Sequence, residues 1–195
     1  MPTSLASRPR ADADLTEALA DQVRTAAARR QPLRIVGGDT KFFYGRPVEG
    51  EALEVGAHRG VTSYEPSELV ITARAGTPIA QVEALLAKNR QMLAFEPPVF
   101  GETSTLGGAV AAGLSGPRRP FAGALRDSVL GVTVLDGQGR RLRFGGTVFK
   151  NVAGFDAFRL MAGALGSLGV VLDVSLRVAP RPQAEAALAF DMDWP

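Results

Sequence analysis

Cysteine is absent from the 195-residue chain, and histidine occurs once, at His58. The first absence excludes disulfides, thiolate metal sites, iron–sulfur ligation and any cofactor tethered through sulfur. The second excludes a histidine-rich metal site, and His58 itself lies outside every motif described below. Long apolar runs are missing too, since no segment approaches the ~20 consecutive apolar residues that span a bilayer. The N-terminal stretch carries Pro, Ser and Arg without an apolar core, so it does not read as a secretory signal and the chain reads as cytoplasmic. Aromatic residues make up only 7%, and a net charge of +2 carried by dispersed arginines leaves no basic stripe for a nucleic acid. The pairs Arg29-Arg30, Arg118-Arg119 and Arg140-Arg141 taken alone are solvated faces.

The remaining composition is that of a folded protein, with 46% hydrophobic and 22% charged residues. The length suits one domain or two small lobes sharing a core. Glycine is abundant, with 22 residues concentrated at Gly37-Gly38, Gly107-Gly108, Gly113 to Gly116, Gly145-Gly146 and Gly163 to Gly169. Glycine lets a ligand approach bare backbone, so these clusters suggest a chain folded around an extended ligand. Gly137 and Gly139 are read instead as hairpin-turn residues.

Residues 1 to 13 read as a loose arm. From Asp14 to Arg30 the apolar positions Leu15, Ala18, Leu19, Val23 and Ala26 recur at helical spacing, and Pro32 stops the helix. Leu33 to Val36 predicts a strand entering the loop Gly37-Gly38-Asp39-Thr40-Lys41, with another strand at Ala52 to Val55. Leu69 to Ala73 reads as a strand, Thr77-Pro78 opens a helix through Asn89, and Gln91 to Phe95 predicts a further strand. Thr105 to Gly113 suits a short buried helix, and Phe155 to Met161 another. Val129 to Leu135 and Arg140 to Phe144 flank Asp136-Gly137-Gln138-Gly139, a hairpin signal. Val170 to Val178 predicts the last strand, ending at Pro180 and Pro182.

Two segments could carry chemistry. Successive amides of Gly37 to Lys41 can form an anion-binding nest, with a Thr40 hydroxyl and the Lys41 cation beside them. Neither a G-x-x-x-x-G-K-[ST] loop nor a helix-opening G-x-G-x-x-G is present. Asp39 should point away from a phosphate. The second segment runs from Glu96-Pro97-Pro98 to Gly113, where the helix start at Leu106-Gly107-Gly108 is expected to offer free N–H donors. Arg118 and Arg119 follow beside a glycine turn.

The order E-P-P-x-F-G, T-x-G-G, A-A-G-L-x-G-P-R-R-P, L-R-D-x-V-L-G, G-G-x-x-x-K-N-V-A-G-[FY]-D, L-M-A-G-x-x-G-x-L-G-V and V-x-P-R-P, between Glu96 and Pro182, resembles the vanillyl-alcohol-oxidase-type (PCMH) FAD-binding family. With the glycine loop, the likeness runs from about Pro32. The forms at Gly113 to Pro120, Lys150 to Asp156 and Gly38 to Gly45 look like those of glycolate oxidase FAD-binding subunits. The resemblance implies an α+β fold of two lobes, a small α/β lobe and a larger lobe with a mixed or antiparallel sheet and helices. The lobes would cover about 14–58 and 60–182, with 183–195 the start of a missing or truncated substrate-capping domain.

It also implies FAD between the lobes. Val36, Gly37, Gly38, Asp39, Thr40 and Lys41 would take the pyrophosphate. Pro97, Pro98, Thr103, Ser104, Thr105, Leu106, Gly107 and Gly108 would lie along the ribityl chain and flavin. Ala112, Gly113, Gly116 and Arg118 would contact the cofactor region, Lys150 and Asn151 would flank the flavin, and Gly166, Gly169, Val170 and Val171 would pass the adenine or the ring wall. Members of the family often tether FAD through histidine or cysteine; this loop has neither, so noncovalent FAD is expected. Gly107→Val or Gly108→Val is expected to remove flavin binding by filling the ligand's space.

The function implied is oxidation of a 2-hydroxy acid such as glycolate, in a complex with a second FAD-binding subunit and an iron–sulfur subunit, peripheral at the inner membrane through that complex. Arg118, Arg119 and Lys150 could hold the substrate anion, and no residue stands out as the catalytic base. A cofactor-binding electron-transfer module without turnover of its own is the alternative. A cell-wall enolpyruvyl reductase is disfavoured by the A-A-G-L-x-G-P-R-R-P run.

Overall fold

A computed structural model describes residues 11–147 and 155–190. Helix α1 (Thr16–Ala28) begins where the Asp14 carboxylate accepts the Thr16 N–H, and it buries Leu19, Ala20, Val23 and Ala26 along one face. A parallel pair follows, β1 (Leu33–Val36) against β2 (Glu51–Glu54), in the register Leu33↔Glu51 to Val36↔Glu54. The chain then forms β3 (Val61–Glu65), β4 (Val70–Arg74), α2 (Ile79–Ala87), the two-residue β5 (Gln91–Met92) and α3 (Leu106–Ala112). Two single-turn helices, α4 (Arg119–Ala122) and α5 (Leu125–Ser128), lead into β6 (Val129–Leu135) and β7 (Arg141–Gly145). After α6 (Ala157–Leu160) the chain returns as β8 (Val170–Arg177) and ends in β9 (Ala179–Pro180), paired with β5.

The five long strands make one antiparallel sheet in the order β3-β4-β8-β6-β7. Central strand β6 is buried at all seven positions, which explains its unbroken apolar run; edge strand β7 alternates exposed Arg141 and Arg143 with half-buried Leu142 and Phe144. Helix α1, the parallel pair and the sheet contribute to a single apolar cluster that includes Leu19, Val23, Leu53, Ile71, Leu106, Val132 and Leu176. The β6–β7 hairpin forms as its Asp-Gly-Gln-Gly sequence predicts, and its tip docks on α1 through Arg24 Nη1 donating to the Gly139 carbonyl at 3.2 Å. No helix among the described residues is long and apolar enough to cross a membrane.

The α+β class matches expectation; two local elements do not. The strand expected over Gln91–Phe95 stops at Met92, because the Glu96 N–H turns back to the Leu93 carbonyl at 3.1 Å with Glu96 at φ 46°. The helix expected over Phe155–Met161 is confined to Ala157–Leu160.

His58 is a core residue with 0% exposure. Its Nδ1 accepts the Leu15 N–H at 3.0 Å, anchoring the start of α1, while Nε2 has no hydrogen-bond partner among the described residues. Burial pushes its pKa down; the Asp173 and Asp14 carboxylates oppose that and Arg74 reinforces it. Unfolded, the imidazole titrates near ~6.5, so below that pH the unfolded chain holds more protons than the folded one. Stability is therefore fully present above about pH 6.5 and falls as the pH drops below it. Urea unfolding at pH 7.5 and 5.5 is expected to show this loss in the wild type and a smaller one in His58→Asn, which keeps an acceptor near the Nδ1 position. Equal losses in both would remove His58 as the cause.

Candidate functional site

Strand β1 delivers the glycine loop. Parallel pairing runs one residue past β2, with the Val55 N–H donating to the Val36 carbonyl at 2.7 Å, and Gly56 still lies against Gly37, where a Cβ would be 2.6 Å from the Gly37 carbonyl oxygen. Beyond that point the N–H groups of Gly38, Asp39, Thr40 and Lys41 make no hydrogen bond within the described residues. Four successive uncommitted amides are the donor set that an anion-binding nest requires. Asp39, at φ 50°, turns its carboxylate to Arg34, with Nη1 and Oδ1 3.4 Å apart. The Lys41 ammonium lies 5.6 Å from the centre of the Phe100 ring, and burial lowers its pKa from the ordinary lysine value.

The loop rests on the segment ahead of α3. Thr103 Oγ1 donates to the Gly38 carbonyl at 2.9 Å, and the Thr40 and Ser104 hydroxyls share a hydrogen bond at 3.0 Å. The approach is so close that a Cβ on Gly38 would lie 1.7 Å from the Thr103 carbonyl oxygen. Thr105 caps α3, its Oγ1 accepting the Gly108 N–H at 3.1 Å.

The free donors expected at the α3 start are engaged. The Leu106 N–H donates to Thr77 O at 2.8 Å and the Gly107 N–H to Ala75 O at 2.7 Å, because the β4–α2 turn brings its carbonyls against that helix end. Gly107 is buried, and a Cβ there would meet the Ala75 Cβ at 2.5 Å, so chain packing accounts for its missing side chain. Gly108 is half-buried and has only Thr105 Oγ1 within reach.

The structure brings together Val36–Lys41, Thr103–Gly108 and, beside β1, the turn at Gly166, which abuts Ile35 Cδ1. That turn is tied to the other end of α3, where Gly163 and Leu165 N–H groups donate to Val110 O and Ala111 O at 3.0 and 2.9 Å. Gly113 packs on Gly163, and Ala112 is buried in α3. Gly169 approaches the Leu135 carbonyl, and Val170 and Val171 begin β8 as core residues.

Pro97 and Arg118 instead line an open groove with Glu83, Gln91, Arg181 and Glu185; the lining includes no residue of Gly37–Lys41. Pro98 follows half-buried, and Gly116 abuts Glu96. The Arg118 guanidinium faces two carboxylates, Nε 3.9 Å from Glu96 Oε1 and Nη1 3.4 Å from Glu185 Oε1. Lys150 and Asn151 lie outside the described residues.

Exposed aromatic residues that were not among the expected cofactor contacts also lie beside the loop. Phe43 meets Phe100 edge-on at 5.1 Å and Phe42 at 6.2 Å. Their signal was the Phe42-Phe43-Tyr44 run directly after the glycine loop, in a chain otherwise poor in aromatics.

A loop of free amides between two chain segments is how a dinucleotide-binding protein holds phosphate, and residues 11–145 match the family model described as FAD binding domain. The chain belongs to that family, and FAD is its cofactor; the loop fits the group, with four available N–H donors, the Thr40 hydroxyl and Lys41 for a pyrophosphate. Over 177 residues, 91% of this chain and 51% of the relative, it is 52% identical to glycolate oxidase subunit GlcE of Escherichia coli K12. It is 27% identical to glycolate oxidase subunit GlcD of Bacillus subtilis, over 89% of this chain and 37% of the relative. To a D-lactate dehydrogenase of Anaerostipes hadrus it is 26% identical, over 91% of this chain and 37% of the relative. The chain thus spans about half the length of the E. coli relative and less of the other two.

Proposed function

We propose that this chain is the FAD-holding part of an oxidoreductase that converts a 2-hydroxy acid, glycolate, to its oxo acid, glyoxylate, as one subunit of a multi-subunit complex. The observation that carries the reading is the run of uncommitted amides at Gly38–Lys41 beside β1. The E. coli relative's name as a glycolate oxidase subunit supports the substrate and the assembly, and the D-lactate dehydrogenase relative supports the 2-hydroxy-acid class. A second FAD-binding subunit and an iron–sulfur subunit belong to the same proposal, as do a cytoplasmic place at the inner membrane through the complex and the two lobes, 14–58 and 60–182.

In this reading the Gly37–Lys41 amides bind the pyrophosphate and Lys41 offsets its charge. Pro97, Pro98 and the Thr103–Gly108 segment border the ribityl chain and flavin. Gly113, Gly116, Lys150 and Asn151 flank the ring, and Gly166 with Gly169 borders the cleft beyond Ile35. When bound, FAD supplies the acceptor for the substrate hydride. Arg118 already faces Glu96 and Glu185, so Arg119 and Lys150 are the better cations for a substrate carboxylate.

FAD is held without a covalent bond. The chain has no cysteine, and its one histidine is buried with Nδ1 bonded to Leu15. Purified protein is expected to be yellow, and acid precipitation should send the flavin into the supernatant; colour staying in the pellet would contradict this. The ion-paired state of Arg118 favours a second reading, a module that binds FAD and passes electrons while a partner turns over substrate. Mixing the chain with glycolate and a dye acceptor, alone and with its partner subunits, decides between them. Dye reduction by the chain alone establishes the first reading, and reduction only with partners establishes the second.

A further inference from the structure

We infer that Thr103 and Ser104 are positioning residues, whose hydroxyls clasp the glycine loop and hold its amides in the curvature a pyrophosphate needs before the ligand arrives. The inference rests on the FAD reading above and assigns the two hydroxyls to the protein rather than to the ligand.

The geometry is specific. Thr103 Oγ1 donates to the Gly38 carbonyl at 2.9 Å. That carbonyl and the Asp39 N–H belong to one planar trans peptide, so they point to opposite sides of the chain. Holding the carbonyl toward Thr103 therefore turns the Asp39 N–H outward, where it makes no hydrogen bond within the described residues. One residue on, the Thr40 hydroxyl is held by Ser104 Oγ at 3.0 Å. Ser104 is 1% exposed, and its Oγ also accepts the Phe100 N–H at 3.3 Å, which anchors it on its own side. Arg34 completes the restraint by drawing the Asp39 carboxylate away. The bare Gly38 backbone allows the loop to sit this near Thr103. A loop free of these contacts would sample many curvatures, and ligand binding would have to order it, which weakens affinity.

The test compares Thr103→Val, which keeps the shape and removes the hydroxyl, with Thr103→Ser, which keeps the hydroxyl. FAD affinity is measured by flavin fluorescence, and the Asp39 and Thr40 amides of the FAD-free chain are followed by NMR. Thr103→Val is expected to weaken FAD about tenfold and to shift or broaden both amide signals before any FAD is added, with an FAD-free melting temperature near that of the wild type. Thr103→Ser should restore affinity and spectrum. Ser104→Ala should act in the same direction, with its larger effect on Thr40. Unchanged affinity in Thr103→Val overturns the clasp. Weakened affinity with undisturbed FAD-free amides overturns it too, since the hydroxyl would then touch the ligand directly. A wild-type chain that takes up no FAD would instead end the FAD reading, an outcome visible before any variant is made.

Discussion

Gly38→Ala is expected to abolish FAD uptake, weakening affinity at least ~100-fold, which at about 1.4 kcal/mol per tenfold corresponds to roughly 2.8 kcal/mol or more. The added Cβ would fall 1.7 Å from the Thr103 carbonyl oxygen and 2.5 Å from its carbon, both backbone atoms that cannot swing aside. Relief requires the loop to retreat from the segment ahead of α3. That retreat breaks the Thr103–Gly38 and Thr40–Ser104 hydrogen bonds and redirects the amides that face the pyrophosphate. Overpacking of this kind costs about 1–3 kcal/mol in a core, but this loop lies near the surface, so the damage should concentrate in binding rather than in folding. Fluorescence titration with FAD and a thermal melt of the FAD-free chain separate the two. The matched control is Gly137→Ala at the hairpin tip, where a Cβ meets nothing within 4 Å. It should leave affinity unchanged and stability within about 0.5 kcal/mol. Wild-type affinity in Gly38→Ala would mean that the loop does not hold the cofactor.

Gly107→Val acts by a different route and should destroy the fold itself. The position is buried, its N–H is bonded to the Ala75 carbonyl at 2.7 Å, and a Cβ would press on the Ala75 Cβ at 2.5 Å with Ala75 Cα and O at 3.0 Å. Ala75 in turn donates its N–H to the Leu172 carbonyl at 2.6 Å, so the pressure passes into central strand β8. A destabilisation of about 3 kcal/mol or more is expected, a large part of the ~5–15 kcal/mol that holds a domain together. Urea unfolding of the FAD-free chain reads it directly, and added FAD should not rescue the loss. Gly108→Ala is the counterpart. It meets only Thr105 Oγ1, at 3.1 Å, and the gain in helix propensity offsets the pressure on the α3 cap, so stability should stay within about 1 kcal/mol of the wild type and the chain still folds. Equal stability of Gly107→Val and wild type would disprove the Ala75 contact. The two glycines are expected from sequence to face the ligand together; the structure separates them, one against protein and one half open.

That separation shows where sequence reading stops. Helix α1 was visible from its apolar spacing, the β6–β7 hairpin from Asp136-Gly137-Gln138-Gly139, and β6 from its unbroken apolar run, because each signal is local. The end of β5 was hidden, since nothing in the sequence of Leu93 to Glu96 announces a turn held by Phe95 packing in the core and Gly116 bonded to its carbonyl. The glycine loop was recognisable as a candidate nest. Which of its neighbours serve the ligand and which serve the loop was not, because Thr103, Ser104 and Thr105 carry the same chemistry and differ only in what stands opposite each hydroxyl.

The amino-acid order alone determined the class of fold, the glycine loop, the want of any cysteine or glycine-loop histidine to tether a flavin, and the family likeness. The loop and the missing tethers follow from composition and short-range spacing, and the fold class follows from the family likeness that the ordered motifs carry. Tertiary structure decided that the α3 amides are occupied by the β4–α2 turn, that Arg118 is faced by Glu96 and Glu185, and that Gly38 lies against Thr103. Each of those pairings joins residues remote in the chain. Whether an amide, a guanidinium or a hydroxyl is free for a ligand depends on the partner that folding places beside it.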